Sequence, residues 1–231
     1  MAHRGLHDET VPENSLAAVE AAIEAGYGVE IDFQLSADGR LILIHDETLE
    51  RTTEGAGAVI DQPMDALRQT PLKGIEETLS NDTDLFALVS GRAPIFVELK
   101  APDTEPQKAA MAAAMTTALR SYGGAVAVMT FDPYLLETLR RALPDTPLGI
   151  LAGGEEAETP LMKRLARDTL LHLSRTKPDF IGYYAAALPH PAVSLRRGKR
   201  PVLTWTVRSQ AEADRLAPHV DQIIFEDFRP R

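Results

Sequence analysis

Short β-rich runs alternate with helical segments along most of this chain, and that alternation constrains the fold more than any other feature. The runs fall at 29–35, 41–45, 95–99, 125–130, 148–151, 180–184, 202–207 and 222–225, with a very short one at 1–4. Several segments between them have readable helix ends. Asn14 is placed to cap a helix whose Leu16, Val19 and Ile23 share one face, and Gly26 is its stop. Asp132-Pro133 supplies a cap and a first-turn proline ahead of Leu135, Leu136, Leu139 and Leu143. Strands separated by helices pair in parallel through helical crossovers. Residues 36–40 are too few for a crossover, which needs about a dozen residues, and Asp38-Gly39 is a hairpin signal. The run at 41–45 is therefore expected to return antiparallel. Eight parallel runs remain, the number that closes a TIM (β/α)8 barrel. An open doubly wound sheet competes, but no glycine-rich dinucleotide loop follows the first strand.

Residues 46–93 break the pattern. Thr52-Thr53-Glu54-Gly55-Ala56-Gly57 reads as a loop, and 64–67 and 76–88 read as short helices. The expectation is one barrel domain over residues 1–231, with 46–93 as a small insertion after the hairpin of the second strand. With 231 residues, 44% of them hydrophobic, the chain can bury a core without disulfides or a structural metal. It has no cysteine, which excludes thiol nucleophiles and thiolate metal sites. A net charge of −10 argues against nucleic-acid partners, whose phosphate backbone calls for clustered Lys and Arg. No stretch approaches the roughly 20 apolar residues of a membrane span, and residues 1–5 lack the apolar segment of a signal peptide. A cytoplasmic protein without membrane insertion is expected. Nothing marks a helix as an oligomer interface.

Active sites of TIM barrels lie at the C-terminal ends of the strands. Glu30 and Asp32, two apart in a strand, point to one side, while Val29, Ile31 and Phe33 take the other. Glu98 and Lys100 repeat that spacing on another strand. Three carboxylates from two strands suit a hard divalent cation with positions left open for water and phosphate oxygens. The plain alternative is a ring of charges around a solvated barrel mouth. His3 and Arg4 end the first run, and His45-Asp46 ends the return run. Two histidines flanking an acidic strand suit the general acid and base that phosphodiester cleavage needs. Arg4 offers a planar fork and Lys100 a point charge for phosphate oxygens. Other features read as structural or surface: His7 on a loop, His172, His190 and His219, the turn Gly153-Gly154, and the basic run Arg196-Arg197-Gly198-Lys199-Arg200. Of Tyr183 and Tyr184, one is placed to line the pocket or to pack in the core.

The motifs His3-Arg4-Gly5, Pro12-Glu13-Asn14-Ser15, Glu30-Ile31-Asp32, Asp38-Gly39, His45-Asp46 and Arg51-Thr52-Thr53 stand in order. Val97-Glu98-Leu99-Lys100 and Thr204-Trp205-Thr206-Val207 follow. Together they resemble the glycerophosphodiester phosphodiesterases, most densely over the first 57 residues. The resemblance implies hydrolysis of small glycerophosphodiesters to sn-glycerol 3-phosphate and an alcohol. It implies a divalent metal ion, Mg²⁺ or Ca²⁺, on Glu30, Asp32 and Glu98, with His3 and His45 as the acid–base pair. It further implies phosphate contacts from Arg4 and Lys100, an aromatic pocket wall at Trp205, and similarity to the short cytoplasmic bacterial members. Two departures stand out: the first strand is very short, and Ile223-Ile224-Phe225-Glu226-Asp227 replaces a usual Thr-Asp or Thr-Asn ending. Competing functions are a barrel phospholipase or sphingomyelinase-type enzyme acting on lipids, and a catalytically silent phosphodiester-binding barrel. The first lacks an amphipathic basic docking segment, and the second does not require an acid–base pair.

Overall fold

The computed structural model describes residues 1–154 and 168–231. Its strands are β1 (Val29–Leu35), β2 (Leu41–Leu43), β3 (Ile95–Leu99), β4 (Val126–Thr130), β5 (Leu148–Ala152), β6 (Phe180–Tyr184), β7 (Val202–Val207) and β8 (Gln222–Phe225). They form one sheet in the order β2-β1-β3-β4-β5-β6-β7-β8. As expected, β2 is antiparallel to β1, with Phe33 opposite Leu43; the other neighbours are parallel.

The short first run supplies the missing stave. Ala2 bridges Val29 on one side and Phe225 on the other, both in parallel. Its amide donates to the Gly28 carbonyl at 2.8 Å and its carbonyl accepts the Glu30 amide at 2.9 Å. Across the seam, the Phe225 amide donates to Met1 at 3.0 Å and the His3 amide to Phe225 at 2.9 Å. These bonds join the two outer parallel strands, so the curled sheet is a TIM-type barrel and the open-sheet alternative falls.

Residues alternate between the two faces of each strand. Val29, Ile31, Phe33, Ile95, Val97, Leu99, Val128, Ile150 and Ile181 pack outward in the main core, where helices cover the sheet. Met129, Leu151, Phe180, Leu203 and Ile224 form a second cluster with Phe96 and Trp205 inside the barrel. Gly182 makes room for it: a Cβ there would stand 2.3 Å from a Leu151 methyl. The inward parity of Phe96 carries on to Glu98, and the outward parity of Val29 and Ile31 leaves Glu30 and Asp32 facing in.

The helices are α1 (Leu16–Glu24), α2 (Met64–Leu67), α3 (Asp82–Val89), α4 (Glu105–Leu119), α5 (Pro133–Ala142), α6 (Leu173–Thr176), α7 (Pro191–Arg196) and α8 (Gln210–Leu216). Asp132 caps α5 as expected, its Oδ1 accepting the Tyr134 and Leu135 amides at 2.7 Å. α5 buries Leu135, Leu136 and Leu139, each worth about 1.5–3 kcal/mol on removal from water. Three local expectations are corrected. Ser15, not Asn14, caps α1, because Asn14 turns to Asp32. α3 starts later than 76, where Asn81 and Asp84 form a reciprocal capping box. β2 stops at Leu43, whose amide donates to the Ser80 carbonyl at 2.8 Å. The return strand thus hands over to the 46–93 segment, which has its own small core of Ile42, Ile44, Leu49, Val59, Met64, Leu67, Leu72 and Leu79. Among the described residues no helix is long and apolar enough to cross a membrane.

Candidate active site

β1 and β3 lie side by side with Asp32 opposite Glu98, and their inward carboxylates meet at the barrel mouth. Oxygens of Glu30, Asp32 and Glu98 all lie within 4.8 Å of one another, and the three residues are buried. Two cations answer them. Lys100 Nζ is 2.9 Å from Asp32 and 2.5 Å from Glu98. Arg4 places Nε 3.3 Å from Asp32, and its backbone amide donates to Glu30 at 3.1 Å. Arg4 and Gly5 both take the left-handed backbone conformation, with φ +53° and +84°. A Cβ on Gly5 would stand 2.7 Å from the Ala18 backbone, so only glycine lets α1 pack this close.

The carboxylates titrate unequally. Burial, then the charges of Asp32 and Glu98, push Glu30 well above the usual carboxylate range. Burial also raises Glu98, against the pull of Lys100. Burial acts on Asp32 too, but Lys100, Arg4 and His45 outweigh it, and Asn14 donates to Oδ2 at 3.0 Å. Asp32 therefore stays ionised, while burial favours the protonated form of Glu30 and Glu98.

His3 and His45 flank this cluster. His3 Nδ1 lies 2.5 Å from Glu226 Oε2, and His45 Nδ1 lies 2.8 Å from Asp46 Oδ1. Burial lowers the pKa of both imidazoles, against Glu226 for His3 and Asp32 for His45. The hydrogen bond to His3 holds Glu226 down at about 2, and Arg51 does the same for Asp46, also about 2. Arg51 grips Asp46 with Nε at 2.5 Å and reaches Glu13 with both terminal nitrogens at 2.7 and 2.8 Å. Glu13 in turn accepts from Arg4 at 2.6 Å. A chain of ion pairs thus runs from Arg4 through Glu13 and Arg51 to Asp46, which hydrogen-bonds His45.

One cavity of about 1380 Å³ collects these groups: His3, Arg4, His45, Glu98 and Lys100 line it together with Phe131, Tyr184 and Trp205. Phe131 and Trp205 meet edge to face, centroids 5.5 Å apart. Of the expected site residues, Glu30 and Asp32 lie beneath this surface and Trp205 is on its wall. Tyr184 lines the cavity and Tyr183 packs in the core, its hydroxyl donating to the Asp168 carbonyl at 3.0 Å. His190 has a structural place, stacked on Tyr183 at 5.1 Å. In the basic run, Arg197 pairs with Asp221 at 2.6 Å, and Arg200 donates to the Pro178 carbonyl. His172, read as structural or surface, lines the cavity together with Arg175. Glu226 was not singled out as a site residue, and its contact with His3 spans 223 positions, beyond the reach of any local pattern.

The sequence model of the glycerophosphoryl diester phosphodiesterase family matches residues 3–228. The chain is similar to glycerophosphodiester phosphodiesterase of Caldanaerobacter subterraneus subsp. tengcongensis, 27% identical over 243 residues, spanning 98% of this chain and 93% of that protein. Human glycerophosphodiester phosphodiesterase 1 is 44% identical over a shorter stretch of 71 residues, 30% of this chain and 21% of that protein. Among solved structures, a phosphodiesterase of Oleispira antarctica in complex with the product sn-glycerol-3-phosphate superposes with a TM-score of 0.82 at 23% identity, covering 97% of this chain and 91% of that one. A glycerophosphodiester phosphodiesterase of Thermotoga maritima gives 0.74 at 24%, covering 97% and 92%.

Proposed function

The chain belongs to the glycerophosphoryl diester phosphodiesterase family, and from that premise we propose that it hydrolyses small glycerophosphodiesters to sn-glycerol 3-phosphate and an alcohol, with His3 and His45 as the acid–base pair. One observation carries this reading: both imidazoles are tied through Nδ1 to a carboxylate and border one cavity together with two cations. The product named with the Oleispira antarctica structure is consistent with it.

The residues also fit a hard divalent cation, magnesium or calcium. Glu30, Asp32 and Glu98 offer oxygens of the right hardness within 4.8 Å of one another. Bound there, such an ion supplies Lewis-acid neutralisation of phosphate charge. The remaining work falls to the chain. Arg4 and Lys100 hold the phosphodiester and offset the charge that builds on its oxygens. One imidazole takes the proton of the nucleophile, either water or a glycerol hydroxyl whose cyclic phosphate a water then opens, and the other gives a proton to the leaving alkoxide. Their lowered pKa leaves a neutral base ready near pH 7, and the incoming phosphate anion favours protonation of the acid. Trp205 and Phe131 form a wall for the alcohol. This reading needs no nucleic acid and no membrane insertion, and goes with the expected cytoplasmic location.

The test is release of sn-glycerol 3-phosphate from glycerophosphocholine by the parent and His45→Ala, with and without chelator. The expected result is metal-dependent turnover that falls about 10²- to 10⁴-fold in the variant. Equal turnover in the variant, or no effect of chelator, contradicts the site.

A further inference from the structure

We propose that Glu226 is a positioning residue for His3: its carboxylate fixes the imidazole so that Nε2, not Nδ1, meets the reacting oxygen. The inference rests on His3 serving in the reaction as proposed above. His3 lines the cavity, whereas Glu226 reaches it only through the 2.5 Å contact with His3 Nδ1. Both backbones are fixed to the closing seam of the barrel. The His3 amide donates to the Phe225 carbonyl at 2.9 Å, and the Glu226 amide donates to the Val207 carbonyl at 3.0 Å. The pairing is therefore imposed by the fold, not by two mobile side chains meeting at a surface. The second carboxylate oxygen is held as well: Arg208 donates to Oε1 at 3.2 Å and also lies 3.4 Å from Asp227.

His7 places Nε2 3.9 Å from Glu226 Oε2, beyond hydrogen-bond reach. With His3 and Glu226 it offers three donor atoms within 4.8 Å, a set that also suits a transition metal. The spacing favours a hydrogen-bonded pair instead. Donors around a tetrahedral zinc stand about 3.3 Å apart, given bonds of about 2.0–2.1 Å, whereas His3 and Glu226 are 2.5 Å apart and Arg208 already balances the carboxylate.

A carboxylate on one ring nitrogen selects the tautomer and orientation of the other. Neutral His3 then carries its proton on Nδ1 and turns the Nε2 lone pair to the cavity. When Nε2 takes a proton, the carboxylate stabilises the imidazolium. The glutamate that departs from the Thr-Asp or Thr-Asn ending of similar proteins thus acquires a task in this chain.

Two measurements decide the matter. Nitrogen-15 NMR of the parent protein reads the His3 tautomer directly: Nδ1–H is expected, and Nε2–H overturns the proposal whether or not any variant folds. Steady-state kinetics on glycerophosphocholine then compares the parent with Glu226→Gln, His3→Ala and the double variant. Glu226→Gln is expected to lower kcat about 10- to 100-fold with KM changed less than about twofold, and to add nothing in the His3→Ala background. A kcat within about threefold of the parent, or losses that multiply in the double variant, overturns the proposal. Full activity of His3→Ala contradicts instead the catalytic role of His3 on which it rests.

Discussion

The two histidines border one cavity but are mounted by different physics. His3 sits on the barrel seam, fixed by backbone hydrogen bonds to β8, with Glu226 on the same seam behind it. His45 lies past the end of a three-residue strand, where the Gln34 side chain donates to its carbonyl at 2.9 Å and Asp46 holds its ring. Asp46 is steadied in turn by Arg51, which is half exposed and shared with Glu13. The first mount is a backbone ladder that closes the fold; the second is a chain of side-chain ion pairs between the α1 entry loop and the 46–93 segment. A ladder loosens only with the barrel. An ion-pair chain can fail one link at a time, with the fold intact.

The comparison can be broken most forcefully at the imidazoles, where either alanine variant should lose at least about 10²-fold in turnover. The next effect concerns Arg51. Arg51→Ala is expected to lower kcat about tenfold by freeing Asp46 and so His45, comparable to losses on removing outer partners of functional groups. Stability should fall by less than about 1 kcal/mol, because exposed ion pairs contribute little. Kinetics and thermal melts of this variant check both parts, and a Tm loss that matches the activity loss would show that Arg51 serves the fold instead. The smallest effect is a pH dependence of stability. Asp46 and Glu226 are held at about 2, below their unfolded values of about 4. Their contribution is complete above about pH 4 and is lost as pH falls toward 2. In thermal melts, the Tm gap between the parent and Asp46→Asn/Glu226→Gln should shrink between pH 5 and pH 2.5; a constant or widening gap contradicts the linkage.

The contrast between the mounts also explains what the sequence could show. The strand alternation is legible because the outward side packs in the apolar core and the inward side carries the site's charges, a period of two that sets Val29, Ile31 and Phe33 against Glu30 and Asp32 although both sides are buried. The His45 mount is nearly local: His45 and Asp46 are adjacent, and Arg51 follows within one loop. The partner of His3 lies at the other end of the chain, so only barrel closure brings Glu226 to it, and the sequence showed it merely as a departure at the last strand. Asn14 misled for a related reason. Local rules make it a helix cap, but its Oδ1, the atom a cap would use, accepts the Asp32 amide at 3.0 Å while its Nδ2 donates to the Asp32 carboxylate at 3.0 Å. His172 carries no local sign of its place on the cavity wall, since that depends on where β5 and β6 bring α6.

The most direct test asks whether the two histidines divide the acid and base roles. Turnover of glycerophosphocholine is compared with that of the matching p-nitrophenyl diester, whose leaving group departs without a proton, for the parent, His3→Ala and His45→Ala. The account predicts that the activated substrate restores most of the activity to one variant and leaves the other crippled. Restoration of both, or of neither, would contradict an acid–base pair at this site.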